Sequence, residues 1–301
     1  MRKIFKGIMP ALVTPFADDN KTIIESSVEK LVNLHIEQGA EGFYVLGGTG
    51  EGIVMAREER EIMCELAVKY IAGRKPVINH IAAVNVAEAV ELAKHSERVG
   101  CDAIAALPPV FSTYTADELY NYYKCLANSV NIPLIVYYHP YAQANMSAEL
   151  IARIFEIDNV TGVKWSSNNF FELMKLKDIT QGEMNIINGP DEMLVLGLAA
   201  GVDAGIGSTY NMMLPEFVAI YNHFQNGELE KAREIQLKIN RIIDLIIKNG
   251  VLPSVKCGVN LMGIEVGDAK FPMKQMDSVS ASKYVAELKR LGWQPDGRVV
   301  R

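Results

Sequence analysis

The chain has 301 residues, 49% of them hydrophobic and 22% charged, an ordinary globular composition with enough apolar residues for a large core. Its formal net charge of −6, with no basic run interleaved with aromatics, argues against a nucleic-acid partner or an anionic membrane surface, although local N–H groups can still hold a small anion. The N-terminus lacks the apolar core of a signal peptide and no run approaches the roughly 18 apolar residues of a membrane span, so a cytoplasmic protein with no membrane partner is expected.

The apolar run at 8–14 stops at Pro15, and Val28, Leu31, Val32 and His35 then recur at helical spacing until Gly39. This strand-then-helix unit repeats. The run 42–46 precedes a helix over 57–71, 76–81 precedes one over 86–99, and 102–107 precedes one from Thr115. The fifth run, 133–138, leads into a helix from Ser147, and the sixth is Val-Thr-Gly-Val-Lys-Trp from Val160. The seventh and eighth, 184–188 and 203–207, lead into helices from Asp191 and Pro215. Eight such units with short connections predict an α/β fold, a (β/α)8 TIM barrel. A doubly wound open sheet would need fewer units, or a reversal of strand order. From 228 to 248 the pattern is helix only, with Ala232, Ile235, Ile239, Ile242, Ile243 and Ile246 on one apolar stripe, and shorter helical stretches follow at 253–262 and 280–291. The expected organisation is a barrel over 1–225 and a small C-terminal three-helix appendage over 226–301.

In such a barrel the chemistry collects at the C-terminal ends of the strands. Lys164 stands there, after Val160 and Val163. A lysine so placed either reaches water as a strand cap or sits where desolvation disfavours an ammonium, and a neutral amine is a nucleophile toward ketones. The turn Gly-Gly-Thr-Gly-Glu-Gly at 47–52 matches neither glycine pattern for nucleotides. It suits a carboxylate, held by backbone N–H groups and the Thr49 hydroxyl, or it is a plain flexible loop. Tyr137 and Tyr138 close the fifth strand; adjacent strand residues face opposite sides, so at most one can turn to the axis and relay a proton. Asp191 and Glu192 begin a helix, where carboxylates either cap the dipole or accept hydrogen bonds from a polyol. The four cysteines form no C-x-x-C pair and read as reduced thiols, and no His/Asp/Glu set has metal-ligand spacing. A lysine, a tyrosine and an anion-holding loop at one rim suggest Schiff-base chemistry on an α-keto acid, with the iminium as electron sink.

The Gly-x-Thr-Gly-Glu loop ending at Glu51, the strand-end Tyr137, the Val163-Lys164 pair and Gly-Ile-Gly-Ser-Thr-Tyr-Asn at 205–211 together resemble the class I pyruvate-dependent aldolases of the dihydrodipicolinate synthase and N-acetylneuraminate lyase family. The resemblance covers nearly the whole chain, and the stretches 188–192, 206–211 and 240–250 are most similar to the lyase branch. It implies that Lys164 is the Schiff-base lysine and Tyr137 the proton carrier. It further implies that Gly48, Thr49, Ser166, Gly189, Asp191, Glu192, Gly207 and Ser208 hold the substrate. The activity implied is a carbon–carbon lyase that splits N-acetylneuraminate into pyruvate and N-acetylmannosamine, without metal or organic cofactor, in a homotetramer. The alternatives are cleavage of another 2-keto-3-deoxy sugar acid, dihydrodipicolinate synthesis, or binding of a sugar acid without turnover. The stretch Pro-Tyr-Ala-Gln-Ala-Asn at 140–145 lacks the arginine usual in dihydrodipicolinate synthases. Three features depart from the family pattern: Gly48 where relatives generally have a hydroxyl, Phe111 where many have a tyrosine reaching into a neighbouring subunit's site, and a shortened loop after Pro140. Counting from Pro133 turns Tyr137 rather than Tyr138 toward the lysine, with Trp165 packing outside the barrel and Ser166 turning inward.

Overall fold

The structure, a computed structural model, describes residues 5–143 and 145–300. Residues 1–4, part of the N-terminus read above as lacking a signal peptide, residue 301 at the end of the appendage, and Ala144 in the loop without arginine lie outside the described residues.

Strands β1 (Gly7–Pro10), β2 (Phe43–Val45), β3 (Val77–His80), β4 (Ala103–Ala106), β5 (Leu134–Tyr138), β6 (Val160–Trp165), β7 (Asn185–Asn188) and β8 (Ala204–Gly207) pair in parallel in the order β1-β8-β7-β6-β5-β4-β3-β2. A parallel bridge between Ala11 and Tyr44, where Leu12 N–H donates to the Tyr44 carbonyl at 2.9 Å, joins the two ends of that order and closes the ring. Between and after the strands run α1 (Glu25–Glu37), α2 (Arg57–Ile71), α3 (Val86–Val99), α4 (Ala116–Ala127), α5 (Ala148–Phe155), α6 (Phe170–Ile179), α7 (Leu194–Ala199) and α8 (Tyr210–Gln225). This is the (β/α)8 barrel that the repeated units predict. Side-chain oxygens of Asn85, Thr115, Ser147 and Asn169 accept the first orphan N–H groups of α3 to α6, which is why those helices start where they do.

Two helix starts differ from the expectation. At Asp191 the chain makes only a 3-10 turn, Asp191–Met193, and Met193 (φ −125°) separates it from α7. Helix α8 begins at Tyr210, ahead of Pro215, because Met213 leaves helical geometry (φ −139°, ψ 31°) and so makes room for the proline ring.

The two-residue period of the strands sorts side chains into two layers. Ile135 and Tyr137 join Met9, Tyr44, Ile78 and Ile206 inside the barrel, whereas Leu134, Val136, Tyr138, Val163 and Trp165 face the helices. The same alternation turns Lys164 to the axis. Trp165 packs outside on Tyr138, ring centroids 4.6 Å apart.

Helices α9 (Leu229–Lys248), α10 (Val251–Leu261) and α11 (Ser278–Arg290) follow, with α9 along α8 and α10 against both. Helix α9 buries Ala232, Ile239, Ile242, Ile243 and Ile246, and in the same stripe Gln236. Among the described residues no helix is long and apolar enough to cross a membrane.

Candidate active site

At the C-terminal ends of the strands a cleft of about 1200 Å³ opens, with Lys164 and Tyr137 among its lining residues. Its walls come from the loops after β2, β5, β7 and β8, from 248–253 at the α9–α10 junction, and from 273–280 before and at the start of α11.

Strand register places the central pair. Lys164 is level with Tyr137 on β5 and with Ile187 on β7. The lysine is 6% exposed, so it is no solvated strand cap. Its Nζ lies 4.0 Å from the centre of the Tyr137 ring and 5.4 Å from that of Tyr44, and donates to Ser166 Oγ at 3.2 Å. Tyr137 thus faces the lysine and Tyr138 does not. Sequence reasoning missed Tyr44 and His80, which pack with Tyr137 at centroid separations of 6.1 and 5.8 Å. His80 ties three strand ends together: its Nε2 accepts Leu107 N–H at 3.3 Å, so Nδ1 carries the proton donated to the Leu46 carbonyl at 3.1 Å. Burial first, then the Arg60 charge, lower its pKa to about 3, and it stays neutral. His139 also lines the cleft and was missed; its Nδ1 accepts Tyr141 N–H at 3.3 Å.

The glycine-rich turn is bracketed by Leu46 and Glu51, both at positive φ (59° and 60°). A side chain at position 52 would place its Cβ 2.0 Å from the Leu46 carbonyl oxygen, so only glycine allows the turn to fold back there. Gly48 and Thr49 line the cleft, and a Cβ added to Gly48 would meet nothing within 4 Å. Glu51 turns away from the cleft into a buried ion pair with Lys256 of α10, 2.8 Å, and accepts the Lys270 N–H at 2.5 Å. The Lys256 and Lys270 ammonium groups both lie over the Phe16 ring, at 4.6 and 4.8 Å. A lysine in the apolar stretch Ser-Val-Lys-Cys at 254–257 was the available signal, and it was overlooked.

Across the cleft, Gly189, Glu192, Gly207 and Ser208 form the wall, with Ser166 beside them. Asp191 stands one layer behind. Its Oδ2 accepts Thr209 N–H at 2.8 Å, the Thr209 hydroxyl at 2.7 Å and the Ser208 hydroxyl at 3.4 Å. Its Oδ1 lies against the bare backbone of Gly207, where a Cβ would come within 2.0 Å of it. Burial pushes the Asp191 carboxyl up from 3.8 to about 6 despite the Thr209 hydrogen bonds. From α9, Gln236 Nε2 donates to the Asp191 carbonyl at 3.2 Å and Asn240 Nδ2 to the Glu192 carbonyl at 3.0 Å. Phe111 is 86% exposed and does not enter this chain's cleft. Among the described residues no three His, Cys, Asp or Glu side chains are grouped to hold a metal ion.

Comparison with known proteins follows the same lines. An N-acetylneuraminate lyase of Citrobacter koseri is 33% identical over 297 residues, 98% of each chain. The structure of Proteus mirabilis N-acetylneuraminate lyase superposes with a TM-score of 0.92 at 27% identity, covering 97% of this chain and 100% of that one. Dihydrodipicolinate synthase from Aquifex aeolicus superposes with a TM-score of 0.90 at 26% identity, covering 95% of this chain and 98% of that one. The model of the dihydrodipicolinate synthetase family matches residues 4–291, and with a closed barrel and a buried lysine–tyrosine pair at its mouth, the chain belongs to that family of aldolases.

Proposed function

We propose that the protein is an N-acetylneuraminate lyase that works through an imine on Lys164. The observation that carries the reading is the buried Lys164 Nζ, 4.0 Å from the Tyr137 ring, in a cleft also lined by Glu192, Gly207 and Ser208 from the loops after β7 and β8. The amine adds to the substrate ketone and water leaves. The carbon–carbon bond next to the iminium then breaks, its electrons pass into the iminium to form an enamine, and Tyr137 moves the proton released by the hydroxyl that becomes the aldehyde. Reprotonation and hydrolysis free pyruvate and restore the amine. Gly48 and Thr49 hold the substrate carboxylate, and Ser166 faces the reacting carbon. Gly189, Glu192, Ser208 and Asp191, reached over Gly207, accept or donate hydrogen bonds along the sugar tail. No metal or organic cofactor takes part, and the working form is a cytoplasmic homotetramer.

Support for this substrate over the dihydrodipicolinate synthase reaction comes from the carboxylate-bearing wall and from the relatives named N-acetylneuraminate lyase. The test is reductive trapping. Borohydride with pyruvate adds a reduced pyruvyl mass to the wild type and none to Lys164→Ala, and the wild type releases pyruvate from N-acetylneuraminate faster than from six-carbon 2-keto-3-deoxy acids. Label on the Lys164→Ala protein would refute the imine; preference for a six-carbon acid would refute the substrate.

A further inference from the structure

The turn that carries Asp191 and Glu192 is too short to satisfy its own backbone. It is a single 3-10 turn, Asp191–Met193, cut off from α7 by the non-helical Met193. Carbonyls at such a break have no helical N–H to accept from, and the first N–H groups of α7 have no preceding carbonyl. The missing partners come from α9. Gln236, 5% exposed, donates from Nε2 to the Asp191 carbonyl at 3.2 Å and accepts Val195 N–H on Oε1 at 3.2 Å. The same Nε2 donates to Asn240 Oδ1 at 2.8 Å, and Asn240 Nδ2 donates to the Glu192 carbonyl at 3.0 Å. Gln236 and Asn240 sit one helical turn apart, so a rigid helix holds two successive carbonyls of the turn in fixed relation. Neither residue lines the cleft, but α9 reaches it again at Lys248.

We infer that Gln236 and Asn240 are positioning residues that set the reach of the site for long-tailed sugar acids. They fix where the Asp191 and Glu192 carboxylates stand relative to Lys164, and they leave the imine chemistry itself untouched. This rests on the reading of the site given above. A six-carbon keto acid ends near Lys164 and gains little from the turn; a nine-carbon acid extends along it.

The experiment compares wild type, Gln236→Leu and Asn240→Asp on N-acetylneuraminate and on a six-carbon 2-keto-3-deoxy acid, with borohydride trapping of pyruvate as the measure of intact chemistry. Asn240→Asp keeps the acceptor for Gln236 and replaces the donor to the Glu192 carbonyl with a carboxylate oxygen that repels it, so it serves if Gln236→Leu folds poorly. The expected result is a fall of at least fivefold in kcat/KM for the long acid relative to the short one, through KM, with trapping and short-acid kcat within twofold of wild type. A ratio that stays within twofold, or equal loss on both acids by the folded variant, overturns the inference. A wild type inert on N-acetylneuraminate instead fails the underlying reading, and the ratio is then taken with the longest acid that it cleaves.

Discussion

The loops after β2 and β7 each carry a buried carboxylate at the barrel rim, and the protein treats the two in opposite ways. Glu51 is met by a lysine ammonium at 2.8 Å and a backbone N–H at 2.5 Å, its side chain only 2% exposed. Asp191, 6% exposed, is met by hydroxyls and one N–H and, among the described residues, by no ion-pair partner, and burial raises its pKa to about 6 against the lesser pull of the Thr209 hydrogen bonds and the more distant Lys164 charge. A compensated buried charge is an anchor: it fastens the glycine-rich loop to α10 and the segment after it. A buried carboxylate held by hydroxyls and an N–H without an ion pair is a cost to the fold, because burial disfavours its charged form.

The largest expected effect breaks the anchor. Lys256→Met strands the Glu51 carboxylate and should cost about 3–5 kcal/mol in urea denaturation, while adding Glu51→Gln should recover much of it. A loss below about 1 kcal/mol for the single variant would place Glu51 in the same class as Asp191.

Next comes the opposite sign at β7. Because the folded pKa of Asp191, about 6, stands above its reference value of 3.8, its contribution to stability is full below 3.8 and lost as pH rises through about 6. Asp191→Asn should therefore stabilise the protein at pH 8 by about 1–2 kcal/mol, the charge relief of at most about 3 kcal/mol less the weakened Thr209 hydrogen bonds, and by nothing near pH 3.5. Its KM for N-acetylneuraminate should rise, and the wild-type KM should climb as pH falls below about 6. Destabilisation at pH 8 would remove the contrast with Glu51.

The smallest effect sharpens the comparison at the glycine-rich loop itself. Gly48→Ser adds a side chain where a Cβ meets nothing within 4 Å, so the melting midpoint should barely move, a change within about 0.5 kcal/mol. The added hydroxyl should raise the rate of pyruvate trapping a few-fold. A large loss of stability would show that the loop needs glycine at 48 as it does at 52.

Most of the barrel was legible because apolar runs of parallel strands and capped amphipathic helices are local signals. The bounds of α2 and α3 coincide with the expectation. The start of α8 did not, since a proline was read as a boundary when a kink ahead of it lets the helix run through. Lys164 and the pair Tyr137 and Tyr138 could be proposed from strand ends alone, and strand register then put Tyr137 beside the lysine. His80 and Tyr44 could not, because their meaning lies in partners distant in sequence, Leu46 and Leu107 for the one and the Lys164 amine for the other, and the lysine visible at 256 shows its partner Glu51 only in the fold. Gln236 had a visible signature, a polar residue in the apolar stripe between Ala232 and Ile239, and it was read past.

By itself the sequence determined the order of elements, the two-residue alternation that lets only one of Tyr137 and Tyr138 turn to the axis, and the glycines that let the rim loops fold tightly. Those are properties of neighbouring residues along one chain. Only the tertiary structure decided which carboxylate meets a lysine ammonium and which meets hydroxyls and an N–H, and that α9 holds the turn after β7. Charge compensation and backbone pairing at the rim depend on groups brought within about 3 Å from far along the chain, and no local pattern encodes that approach.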